Sequence, residues 1–331
     1  LQVFFIIWNN FGKIKIEINI KKGDENMDTK EILSILPEKL KREVINFAYN
    51  DRLQEIRIKI GKPLIIQLGT REVVCRYNPD FEDLNTIIKR ISNYSIYAFE
   101  EEMKRGYITI SGGHRIGICG RCVIEKGEVK TIKDISSLNI RICREIPGCS
   151  KNLMKFILEE DSVINSIIIS PPKCGKTTLI RDITRNISNG VDSMSFHGKK
   201  VCVIDERSEI GACSAGVPQL DVGIRTDVMD GCLKSEGIMM AIRSMSPDVI
   251  VCDEIGSHKD MESIVTALNS GVNLITTIHG FGIEDLYSRP VFKDIVENKV
   301  FKRAVVLSGK KGAGTVEYIY DFSDKEKIYG E

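Results

Sequence analysis

The run that most constrains this chain is Ile168-Ile169-Ser170-Pro171-Pro172-Lys173-Cys174-Gly175-Lys176-Thr177-Thr178-Leu179-Ile180. An apolar strand leads into a turn-rich loop, and Gly175-Lys176-Thr177 opens helix-compatible sequence. This is the order of a phosphate-binding loop, G-x-x-x-x-G-K-[ST] set between a strand and a helix. Such a loop turns backbone N–H groups and a helix N-terminus toward phosphate oxygens. On this reading Ser170, Pro171, Pro172, Lys173, Cys174, Gly175, Lys176, Thr177 and Thr178 form the nucleotide cradle. Lys176 reaches the β- and γ-phosphates, and Thr177 ligates Mg²⁺. The departure is Ser170, which stands where the pattern has its first glycine. Serine serves there if its backbone keeps a negative φ.

The sequence around the loop alternates apolar runs with helical segments, which predicts a parallel α/β sheet. Candidate strands cover residues 166–169, 201–204, 249–252, 273–276 and 304–307. In open sheets of this kind ligands bind outside the carboxyl ends of the strands. Two acid pairs fall there: Asp205-Glu206 after Val201-Cys202-Val203-Ile204, and Asp253-Glu254 after Val249-Ile250-Val251-Cys252. In such pairs one carboxylate can hold Mg²⁺ while the other polarises the attacking water. We expect Glu254 to polarise water, Asp253 to brace Mg²⁺ or the loop, and Glu206 to assist; the reverse order of the two pairs is the alternative. His279 follows the strand-like Leu274-Ile275-Thr276-Thr277-Ile278 and is a candidate γ-phosphate sensor or partner of a catalytic Glu. Arg207, Arg225 and Arg243 lie in the same half, and one is expected to reach a neighbouring subunit's nucleotide.

The first half mixes helices with antiparallel strands. Ile32, Leu33, Ile35 and Leu36 show helical spacing, residues 55–60 and 63–68 read as paired strands, and residues 84–92 and 96–105 read as helices. The expected division is 1–26, 27–148 and 149–331, with Ile146-Pro147-Gly148 at the last boundary. For residues 1–26, the alternation of Ile14, Ile16, Ile18 and Ile20 suggests a strand. That strand is the rival reading; the expectation adopted is a non-native or disordered extension before Met27. Cys119-Gly120-Arg121-Cys122 has no second ligand pair with zinc spacing, and it lies in strand-rich sequence. Several of the other cysteines, such as Cys202 and Cys252, sit inside apolar runs, as reduced thiols of a cytosolic protein do. No run approaches the 18 apolar residues of a membrane span. A net charge of +1, from 47 basic and 46 acidic residues, argues against nucleic-acid binding by bulk electrostatics.

Longer stretches resemble a known family. Asp205-Glu206-Arg207-Ser208-Glu209-Ile210, Gly223-Ile224-Arg225-Thr226-Asp227-Val228, Ile242-Arg243-Ser244-Met245-Ser246-Pro247-Asp248 and Asp253-Glu254-Ile255-Gly256 resemble motifs of the stage III sporulation protein AA family. Gly106-Tyr107-Ile108-Thr109, Gly112-Gly113-His114-Arg115-Ile116-Gly117 and Asn139-Ile140-Arg141-Ile142 carry the resemblance into the first half. That family is similar in turn to the ATPases of type II and type IV secretion and pili. The resemblance implies a RecA-like P-loop NTPase domain after a smaller α+β domain. Residues 170–177 would be the Walker A loop, Asp205-Glu206 the aspartate box, Asp253-Glu254 Walker B and His279 the histidine box.

It further implies ATP and Mg²⁺ as cofactors and a homo-oligomer, expected to be a hexameric ring. Arg115, Arg121, Arg141 and Arg144 become candidates for arginines given by the amino-terminal domain to the nucleotide. The implied role is a motor on the mother-cell, cytoplasmic side of a sporulation channel, attached to the membrane peripherally through integral membrane partners. An ATPase acting on single-stranded nucleic acid is the alternative. No basic stretch with interleaved aromatics supports it, and nucleic acid is not expected as a partner.

Overall fold

Where the sequence alternates it makes half-buried antiparallel strands, and where it runs apolar it makes strands buried on both faces. The computed structural model describes residues 2–9, 12–19, 29–50, 52–92 and 100–330. The chain divides into two units, Leu1–Lys104 with Ile118–Asn139, and Arg105–Gly117 with Ile140–Glu331. Residues 105–117 and 140–148, which precede the boundary expected at 148, thus belong with the second unit.

In the first unit β1 (Gln2–Asn9) and β2 (Gly12–Asn19) form an antiparallel hairpin. The alternation at Ile14, Ile16 and Ile18 falls in β2, while Ile20 lies outside the described residues. Helices α1 (Lys30–Ile35) and α2 (Glu38–Ala48) follow, and Ile32, Leu33, Ile35 and Leu36 are all buried. Strands β3 (Leu53–Lys59), β4 (Ile65–Leu68) and β5 (Arg71–Val74) make a meander. Ile56, Ile58 and Ile66 are inaccessible on its covered face. A capping box between Asp80 and Asp83 opens α3 (Phe81–Ile91). Helix α4 (Glu100–Arg105) is the described part of the helix expected over 96–105. After β6 (Tyr107–Thr109) come two long strands, β7 (Arg115–Glu125) and β8 (Glu128–Arg141), joined by Lys126-Gly127, both at positive φ. The first unit's sheet runs β5-β4-β3-β8-β7. Cys119 and Cys122 are exposed on β7, and no cluster of metal-ligating side chains occurs among the described residues.

In the second unit β6 pairs with the start of β7, Ile108 opposite Ile116. Helix α5 (Met154–Ile157) precedes a minimal hairpin of β9 (Leu158–Glu159) and β10 (Ser162–Val163). Then come β11 (Ser166–Ser170), α6 (Lys176–Asn189), the short pair β12 (Gly190–Val191) and β13 (Phe196–His197), β14 (Val201–Asp205) and β15 (Thr226–Asp230). The chain continues through α7 (Lys234–Ser244), β16 (Val249–Cys252), α8 (His258–Asn269), β17 (Asn273–His279), α9 (Glu284–Ser288) and α10 (Lys293–Glu297). It ends with β18 (Arg303–Ser308), β19 (Thr315–Asp321) and β20 (Glu326–Gly330).

The sheet order is β15-β14-β16-β17-β11-β18-β19-β20. Its first six strands are parallel, and β19 and β20 extend it antiparallel. This is the parallel-rich α/β sheet the sequence predicts. Side chains of β11 divide by parity: Ile167 and Ile169 join the core under α7 and α8, and Ile168 joins the core under α6. Each of the five expected strands is present. The sixth parallel strand, β15, escapes the pattern because it is a sheet edge with an exposed, acid-rich sequence.

Such a two-sided core predicts a sharp contrast between positions. Ile250 is inaccessible in the middle of β16, whereas Ile224 is 80% exposed. We expect Ile250→Ala to lower the unfolding free energy by about 2–5 kcal/mol. Ile224→Ala is expected to stay within about 0.5 kcal/mol of wild type. Denaturant midpoints of the two variants check this.

Candidate functional site

The phosphate-loop sequence leaves the sheet at the carboxyl end of β11, between β17 and β18. Gly175 has φ +82, and a Cβ there would lie 2.8 Å from the Gly314 nitrogen. That nitrogen donates to the Cys174 carbonyl at 2.7 Å, so the residue at 175 must be glycine for both reasons. Lys173 also takes positive φ, but Ser170 does not. Ser170 is buried, and its hydroxyl donates to the Pro171 carbonyl at 2.9 Å. The departure from glycine is therefore accommodated. Helix α6 starts at Lys176, leaving its first N–H groups without helical acceptors at the loop. Thr177 and Thr178 stand in the first turn of the helix.

Glu254 is the centre of the arrangement. Lys176 Nζ donates to Glu254 Oε1 at 2.7 Å, His279 Nε2 lies 2.9 Å from the same oxygen, and Arg207 Nη1 donates to Oε2 at 2.7 Å. The Lys176 and Glu254 side chains are only 8% and 16% exposed. Strand order explains the meeting: β17 lies between β11 and β16, so His279 at its end stands between the loop and Glu254. Burial pushes the Glu254 carboxyl up, but the Lys176 hydrogen bond and the charges of Lys176, Arg207 and His279 hold it below the usual range. Asp253 differs. It is buried, its Oδ1 has no hydrogen-bond partner, and burial pushes it up to about 7 against the pull of Lys234.

The first acid pair divides its labour. Asp205 accepts from three backbone N–H groups, those of Glu209 at 2.7 Å, Ile210 at 2.9 Å and Gly211 at 2.8 Å. It thereby closes the loop after β14. Glu206 pairs with Lys234, a buried residue at the start of α7. Arg181, from α6, donates to the carbonyls of Ile210 and Glu209 at 2.6 and 2.7 Å.

The other arginines go elsewhere. Arg225 precedes β15, where its carbonyl accepts from Val201 N and its guanidinium donates to the Ser188 carbonyl at 2.9 Å. Arg243 is exposed in the last turn of α7, which leads back to the start of β16. Both lie at the amino-terminal edge of the parallel strands, opposite the phosphate-loop sequence. Arg115 pairs with Glu209, Arg121 with Asp134 on the first unit's hairpin, and Arg141 is exposed. Arg144 is half-buried. Lys234 was not singled out by sequence reasoning. Its signal is a lysine on the apolar stripe it shares with Gly237, Ile238 and Ala241.

Two outcomes follow from these acids. Asp205→Ala leaves three loop N–H groups without their acceptor, and a loss of about 3 kcal/mol or more in unfolding free energy is expected. Glu206→Gln takes the carboxylate from the buried Lys234 ammonium, and a loss of about 3 kcal/mol is expected there too. For Asp253 the folded value, about 7, lies above the ordinary 3.8. The folded state therefore binds this proton more tightly than the unfolded one. The penalty is absent below about pH 4, grows as pH rises toward 7 and is complete above it. Asp253→Asn should raise stability at pH 8 by a few kcal/mol, with the gain vanishing toward pH 4. Thermal melts across that range, without nucleotide or Mg²⁺, measure it.

With this geometry in hand, comparison with known proteins is informative. A model of the family described as "Sporulation stage III, protein AA" matches residues 26–326. The chain is 44% identical over 293 residues to Stage III sporulation protein AA of Bacillus subtilis (strain 168), covering 88% of this chain and 94% of that one. Among solved structures it resembles the ATPase DotB of Legionella pneumophila with a TM-score of 0.56 at 15% identity, over 90% of this chain and 83% of DotB. It also resembles the pilus retraction motor PilT with bound ADP, TM-score 0.55 at 17% identity, over 80% and 76%. These likenesses establish the P-loop ATPase fold. By sequence, the chain belongs to the sporulation stage III protein AA family.

Proposed function

We propose that this protein binds ATP with Mg²⁺ on residues 170–177 and hydrolyses it, as the motor of a membrane transport complex in endospore formation. The observation that carries the reading is the contact of Lys176 with Glu254, which joins the loop lysine to an acid two strands away. The residues suit Mg²⁺. A buried carboxylate oxygen without a partner among the described residues, Asp253 Oδ1, and the Thr177 hydroxyl in the first turn of α6 are hard oxygen donors of the kind this ion takes. They would hold it, and bound Mg²⁺ would neutralise charge on the phosphates.

The chain's own groups do the rest. Lys176 exchanges Glu254 for the terminal phosphate oxygens, where its charge meets a stronger anion. Glu254, whose Oε1 Lys176 then vacates, is the carboxylate placed to orient and polarise water. His279, beside it at 2.9 Å, registers whether that carboxylate has moved. Glu206, tied to Lys234, supports the site from the next strand.

Family membership supports the sporulation role, and the fold shared with DotB and PilT supports a ring-forming motor. We take the ring to be hexameric and its membrane work to pass through integral membrane partners. Among the described residues no helix is long and apolar enough to cross a membrane.

Purified protein should turn over ATP in the presence of Mg²⁺. Lys176→Ala is expected to abolish turnover and weaken nucleotide binding without unfolding the protein. Glu254→Gln is expected to bind ATP yet lower kcat by about 10² or more. Stalled turnover in Glu206→Gln with near-normal turnover in Glu254→Gln would reverse the assignment of the two acid pairs.

A further inference from the structure

Arg207 lies outside the phosphate loop, in the turn that Asp205 closes after β14. Its guanidinium takes Glu254 Oε2 at 2.7 Å, while Lys176 and His279 share Oε1. Both carboxylate oxygens are thus engaged. The Glu254 backbone is fixed as well, with φ +35 and its N–H donating to Thr277 Oγ1 at 2.9 Å. An arriving phosphate that draws Lys176 away leaves Oε2 on Arg207 and Oε1 beside His279, so neither oxygen is free to take a proton from water.

We infer that Arg207 is a latch, a positioning residue that holds Glu254 inactive until the turn carrying Arg207 moves. This inference rests on the reading of the site as an ATPase.

The turn is tethered in a way that makes such movement controllable. The Arg207 carbonyl accepts from the Tyr107 hydroxyl at 3.1 Å and from Arg115 Nη2. Arg115 Nη1 lies 3.3 Å from Glu209 Oε1, and its guanidinium stacks 4.0 Å over the Tyr107 ring. Tyr107 and Arg115 belong to the 105–117 segment, whose two ends both continue into the first unit. A pull on that segment therefore acts on the backbone of Arg207. The Arg207 side chain is itself 57% exposed, so shortening it opens no cavity. Arg115, named from the family resemblance as a candidate to reach nucleotide, holds loop carbonyls and Glu209 within this chain.

The test is steady-state turnover of Mg-ATP by the wild type, Arg207→Ala, Arg207→Gln, Arg207→Lys, Arg115→Ala and the Arg115→Ala/Arg207→Ala double variant, each first shown to melt cooperatively. Arg207→Ala and Arg207→Gln should raise kcat about fivefold, the scale of one partly exposed charged contact, with KM changed by less than about twofold. Arg207→Lys, which keeps the charge, should stay near wild type. Arg115→Ala should raise kcat less, and the double variant should match Arg207→Ala, because both act through one contact. A kcat unchanged or lowered in folded Arg207→Ala and Arg207→Gln overturns the latch and leaves the ATPase reading standing. Absence of turnover in the wild type and in every variant overturns both.

Discussion

The pairing of Lys176 with Glu254 is the interaction on which the rest of the second unit depends. The nearly buried Lys176 ammonium has Glu254 as its counter-ion and would be strongly unfavourable there without it, while Glu254 is also held by Arg207 and His279. The pair can form only because β17 lies between β11 and β16, bringing the ends of all three strands to one edge of the sheet. It also makes the site responsive. A ligand that offers Lys176 a stronger anion must draw it off Glu254 Oε1, while Oε2 keeps its contact with Arg207.

Around this pair the turn after β14 is a node rather than a loop. Asp205 closes it from inside, Arg181 holds its carbonyls from α6, and Arg115 and Tyr107 hold it from the 105–117 segment. The same few residues thus touch the phosphate-loop helix, the segment leading to the first unit and, through Arg207, the carboxylate of Glu254.

Much of this was legible in the sequence, for physical reasons. Strands buried on both faces read as unbroken apolar runs, so β11, β14, β16, β17 and β18 could be placed within a few residues. The edge strand β15 could not, because Thr226, Asp227 and Asp230 face less of the core. The loop residues from Ser170 to Thr178 were legible because their backbone demands are local. The two Asp-Glu pairs look alike in sequence, yet Asp205 caps a turn while Asp253 keeps an unpartnered oxygen. That difference arises from where the next residues turn, which no pair spacing encodes. Arg225 and Arg243 were named as candidates for a neighbouring subunit's nucleotide, and within this chain they lie at the amino-terminal edge of the parallel strands, away from the phosphate-loop sequence. Lys234 was overlooked because a buried lysine is only intelligible once Glu206 and Asp253 are seen beside it.

The most direct test of this account is a crystal structure with Mg²⁺ and a non-hydrolysable ATP analogue. It should show Lys176 Nζ hydrogen-bonded to the terminal phosphate and no longer to Glu254, with the analogue seated on residues 170–177. An analogue bound elsewhere, or one bound at the loop with the Lys176–Glu254 pair intact, would contradict it.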